Sequence, residues 1–214
     1  MLFVIIIVGI LLALFVLRLI FFRGPISEHV SEPPEGILDM HCHTAGIGAG
    51  GSEAWISDEL RKSWKFGLYL KVFGSNVEEV NEEGDQILME VIASSIRDSV
   101  HVDGAVILAM DAPYTDDGEM DKGSGEVCVP NRFVGEKTKL YPELYFGSSV
   151  HPNRSDALKE LAWSKENDAV LVKWLPNIQN IDPSNERYIP YYQKLVDLDL
   201  PLLTHVGDED SFSK

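Results

Sequence analysis

Five short apolar runs, separated by longer amphipathic or polar stretches, constrain what this chain can fold into more than any other feature. They are Gly36 to Met40, Ala105 to Met110, Tyr145 to Val150, Ala169 to Lys173 and Pro201 to His205. The runs are rich in Val, Ile and Leu and mostly lack polar alternation, the pattern of parallel strands buried on both faces. Between them the sequence predicts helices over Ser57 to Phe73, Val77 to Val100, Asn131 to Tyr141, Ser155 to Glu166 and Ser184 to Leu198. Strands alternating with helices imply right-handed βαβ crossovers and a parallel sheet, so the fold class is α/β. Asp111 to Pro130, with three glycines and many acids, reads as a long loop after the second run. Loops at strand C-terminal ends carry specificity in such folds.

The pentapeptide Asp39-Met40-His41-Cys42-His43 closes the first run. Alternation along a strand puts His41 and His43 on one face and Met40 and Cys42 on the other, so Cys42 is not counted as a ligand. Two imidazoles on one face can share a metal ion, and a catalytic site usually wants three protein ligands plus an open position for water. The plainer reading is two histidines near a turn. The remaining chemistry-bearing residues fall at equivalent places: Asp111 follows the second run, His151 follows the third, Lys173 ends the fourth and His205 ends the fifth. In a closed (β/α)8 TIM barrel these ends converge on one face, which makes Asp111, His151 and Lys173 candidate catalytic residues.

With these residues in place, the chain resembles the amidohydrolase superfamily of metal-dependent hydrolases. The resemblance is densest in Leu38 to His43, in Val172-Lys173-Trp174-Leu175-Pro176, and from Pro201 to Glu209. It implies a TIM barrel with metal ligands at His41, His43, Lys173 and His205. It also implies a divalent cofactor, zinc first among the choices, as one or two ions, and a small-molecule substrate cleaved at a C–N or C–O bond by metal-activated water. Metal-dependent decarboxylases of the same fold are the alternative, and a non-catalytic domain is the third. Lys173 either ligates after carboxylation or pairs with a substrate carboxylate or Asp111. His205 is either a ligand or a core histidine bonded to a carbonyl, and His151 either reaches substrate or shapes a turn. Asp39 either orients a ligand or bonds backbone, and Trp174 is either core or pocket wall. At about 31 residues per βα unit, the stretch from Gly36 holds five or six of eight units, so a fragment of a longer protein is expected; the histidine at strand six and the aspartate at strand eight that the resemblance also implies have no counterpart in this sequence.

The 214 residues carry a formal charge of −16, which argues against nucleic acid as a partner. Cys42 and Cys128 do not make a disulfide framework. Leu2 to Leu17 contains no charged residue, and with Leu19 to Phe22 it gives about 20 apolar residues, the length of a membrane span. The expectation is therefore a transmembrane anchor over 1–23, a proline-bearing linker over 24–35 and a partial barrel over 36–214. Arg18 and Arg23 on the C-terminal flank place that domain in the cytoplasm of a single-pass membrane protein.

Overall fold

The structure, a computed structural model, describes the backbone over 2–21 and 36–207, and side chains over 7–17 and 36–207. The chain divides into two units, Met1–Pro34 and Glu35–Lys214. In the first lies helix α1 (Leu2–Phe21). Among the described residues no helix is long and apolar enough to cross a membrane. The expected transmembrane helix, the single-pass membrane localisation and the orientation drawn from Arg18 and Arg23 are corrected accordingly. The linker over 24–35, and Asp208 and Glu209 at the end of the stretch that carries the resemblance, lie outside the described residues.

The second unit has strands β1 (Ile37–His43), β2 (Trp55–Ile56), β3 (Val102–Leu108), β4 (Val127–Cys128), β5 (Leu144–Ser148), β6 (Ala169–Trp174) and β7 (Leu202–Thr204). Five of them form one parallel sheet in the order β1-β3-β5-β6-β7, and β2 pairs with β4 as a separate antiparallel ribbon. Each sheet strand lies beside its predecessor with no reversal. A doubly wound sheet reverses at a switch point, whereas a sheet wound one way is the barrel's sense, so this is a curled half-barrel.

The helices of this unit are α2 (Asp58–Lys62), α3 (Trp64–Val72), α4 (Val77–Glu83), α5 (Gln86–Arg97), α6 (Asn131–Thr138), α7 (Ala157–Glu166), α8 (Pro176–Gln179) and α9 (Ile189–Asp197). The main core joins Ala105, Ile107, Phe146 and Val172 of the sheet to Met89 of α5, Val134 of α6, Leu161 of α7 and Leu195 of α9. Burying each large apolar side chain stabilises the fold by about 1.5–3 kcal/mol. The alternate residues Val106, Leu108 and Leu171 gather with Leu203 on the other face. Gly147 lets them meet, because a Cβ there would stand 2.6 Å from Leu108 Cδ2. Trp174 is core rather than pocket wall: it is fully buried, and its Nε1–H donates to the Val150 carbonyl at 2.9 Å.

Two of the expected helices are each broken in two. Ser63, extended at φ −75° and ψ 151°, separates α2 from α3. Gly84, at φ 83°, separates α4 from α5 in a backbone region open mainly to glycine.

Candidate functional site

The site starts from an irregularity in β1. Asp39 pairs with Ala105 and Cys42 with Ile107, so three steps on β1 match two on β3, a β-bulge. Cys42 consequently packs into the helix-side core beside Ile107, and His43 lies in register with Leu108 of the opposite face. Bulges beside functional sites re-aim side chains in this way. The Nε2 atoms of His41 and His43 come within 3.2 Å, with ring centroids 5.1 Å apart. Asp39 Oδ1 accepts the His41 backbone N–H at 2.9 Å, the backbone role foreseen for it. Burial, with the Asp39 charge adding to it, pushes the Cys42 thiol up to about 11, and its side chain packs into the helix-side core, away from His43.

After His43 the chain enters a glycine-rich loop, residues 44–54, that the sequence reading passed over. Its anchor is Asp85, fully buried just ahead of α5. The carboxylate accepts the Ile47 N–H at 2.9 Å, the Gly48 N–H at 2.9 Å and the Ser52 hydroxyl. A Cβ on Gly46 would stand 2.6 Å from Asp85 Oδ2, so glycine there is a requirement of packing. Beside the loop is a cavity of about 300 Å3. Its lining includes His43 and Thr44 at the end of β1, Met110 after β3 and Leu175 after β6, which places it on the C-terminal face of the sheet.

Asp111 and His151 meet, but each is committed to structure. The His151 backbone N–H donates to Asp111 Oδ2 at 2.9 Å. His151 Nε2 lies 2.8 Å from the Gln179 carbonyl and therefore carries the proton, and Nδ1 accepts the Asn153 N–H at 3.0 Å. Burial, reinforced by the Arg154 charge, holds this imidazole down at about 4. Arg154, which the sequence reading missed, pairs with Asp111 at 3.2 Å and forks onto Asp156 at 2.8 and 3.1 Å. Burial nonetheless outweighs Arg154 and the N–H donors, and the Asp111 carboxyl is pushed up to about 6.

Lys173, 1% exposed, sits on β6 in register with Leu203, and its carbonyl accepts the Ser149 hydroxyl. The partner foreseen for it, Asp111, is engaged by Arg154. His205 follows β7, across the sheet from β1, and its N–H donates to the Trp174 carbonyl at 3.0 Å. The structure thus brings His41 and His43 together. Among the described residues no group of three His, Cys, Asp or Glu side chains could hold an ion.

No protein-family model and no curated protein matches the chain. Among solved structures it is similar to a probable 2-pyrone-4,6-dicarboxylic acid hydrolase from Acinetobacter baumannii with citric acid bound, at a TM-score of 0.42 and 11% identity. The match covers 80% of this chain and 49% of that one, so the chain spans about half the length of that protein.

Proposed function

We propose that this chain is a metal-dependent hydrolase in which His41 and His43 bind one divalent ion through their Nε2 atoms. The observation that carries the reading is the 3.2 Å between those atoms. With metal–nitrogen bonds of about 2.0–2.1 Å and tetrahedral angles, two nitrogens on one zinc lie about 3.3 Å apart, so the pair fits a single ion. The bound ion supplies an acidified water and polarises the substrate carbonyl. The irregularity in β1 lies between Asp39 and Cys42, across His41, and Asp39 holds the backbone N–H of His41. His205, which the resemblance implies as a third ligand, follows β7 at the opposite edge of the sheet and is not brought to this pair, and Lys173 is either a ligand after carboxylation or the partner of a substrate carboxylate. Asp111 and His151 tie the ends of β3 and β5 together through Arg154 and Gln179, and act by positioning.

A second reading has its own support. An Nε2···Nε2 distance of 3.2 Å also suits one neutral imidazole donating to the other, which makes a structural pair in a non-catalytic domain. Hydrolysis of a panel of aryl and alkyl esters and amides, before and after chelation and after zinc is restored, separates the two. Activity lost on chelation, regained with zinc and absent from the His41→Ala/His43→Ala variant is the expected result. No hydrolysis by the zinc-loaded protein, or hydrolysis that survives chelation and both substitutions, would overturn the proposal.

A further inference from the structure

We propose that the cavity beside His43 receives a neutral, apolar part of the substrate, one or two rings or a branched alkyl group, and so selects aryl or alkyl esters and amides over polyanionic substrates. This names the substrate class for the hydrolase reading above and rests on it for the reacting bond; the cavity itself is a separate claim.

Helix α3 and its end supply Phe66 and Phe73, the β2–β4 ribbon supplies Ile56 and Val127, and Met110 and Leu175 close the side toward the sheet. The polar side chains in the lining are those of His43, Thr44 and Tyr69, and no Asp, Glu, Lys or Arg lines it among the described residues. A carboxylate or ammonium placed there would lose its hydration with no opposite charge to replace it, a cost that excludes ionic groups. An apolar group meets no such penalty and gains from leaving water. Size sets the rest. A cavity of about 150 Å3 holds benzene, so about 300 Å3 takes roughly twelve heavy atoms, the scale of a two-ring or alkylated aromatic unit. His43 is both a wall of this cavity and half of the proposed metal pair. A bond joined to the buried apolar group therefore lies next to the imidazoles, where hydrolysis adds water across it and releases an acid together with an alcohol or amine.

The test uses toluene, propylbenzene and naphthalene as probes of the full chain, with citrate and phthalate as charged controls, followed by amide chemical shifts in metal-free and zinc-loaded protein. Saturable shifts at Phe66, Phe73 and Val127 are expected with the apolar probes. Affinity should rise about fourfold per methylene from toluene to propylbenzene. Ile56→Trp, which fills the space, should weaken binding at least tenfold, and Val127→Phe serves if the first variant does not fold. Shifts absent from these residues, or citrate and phthalate binding as tightly there, would overturn the proposal. Apolar binding by a protein that takes up no zinc would leave the cavity standing and overturn the hydrolase reading alone.

Discussion

At His151 the imidazole is fully buried, both ring nitrogens are engaged, and the ring is held down at about 4 from an ordinary 6.5. A histidine whose folded value lies below its unfolded one stabilises the fold above about 6.5 and loses that contribution as pH falls through the window toward 4. The size is about 3 kcal/mol. Asp111 works the other way: its carboxyl, up at about 6, binds the proton more tightly in the folded protein, so its contribution is present below about 4 and lost as pH rises through 6. The two slopes oppose each other between pH 4 and 6. Replacing His151 by Gln removes one of them. The destabilisation caused by His151→Gln is expected to be largest near pH 7 and to shrink by about 3 kcal/mol at pH 4, read from urea unfolding of both proteins across that range. A penalty independent of pH would show that the buried ring is not what resists protonation. The sequence placed Asp111 and His151 at strand ends but gave no sign of Arg154, because a surface-type residue three positions past His151 becomes their partner only through the tertiary fold.

The element that governs the candidate site is β1 with the loop behind it. His-X-His was legible as a shared face, but alternation alone leaves the distance between the rings open, and their 3.2 Å approach was not legible. The bulge was not legible, since it exists only as a register between β1 and β3. Nor was the β2–β4 ribbon, whose strands are two residues each and too short to show a period. The glycine-rich loop did carry a signal, four glycines between Gly46 and Gly51 directly after a strand, but its anchor Asp85 lies 38 residues from Ile47. Asp85→Ala leaves the Ile47 and Gly48 N–H groups and the Ser52 hydroxyl without that acceptor, at about 1–3 kcal/mol for each buried group left unsatisfied. The variant is expected to lose about 3 kcal/mol or more, and the Ile47 and Gly48 amides to lose protection from hydrogen exchange. Gly46→Ala should cost about 1–3 kcal/mol, because its methyl would meet Ala54 Cβ and Asp85 Oδ2, each at 2.6 Å. Unchanged exchange at Ile47 and Gly48 in Asp85→Ala would mean that the loop is held by something other than this carboxylate.

Across the second unit, the half-barrel follows from five apolar runs that alternate with helices; the inner strands β3, β5 and β6 are mostly buried, as their unbroken Val, Ile and Leu imply, whereas β1 and β7 at the sheet edges are partly exposed. Their order in the sheet adds what sequence cannot carry: every strand joins the same growing edge, so the C-terminal ends of β1, β3 and β6 contribute to one cavity. The apolar run at residues 2–17 was legible as a helix, and α1 is one, but among the described residues no helix is long and apolar enough to cross a membrane, so the anchor read from that run does not stand. The claim on which the functional reading stands is the ion between His41 and His43. Calorimetric titration of zinc into the metal-stripped full chain, beside the folded His41→Ala/His43→Ala variant, tests it most directly. Saturable binding by the unsubstituted protein that weakens at least a hundredfold in the variant is the expected result; equal binding by both, or none by either, would contradict it.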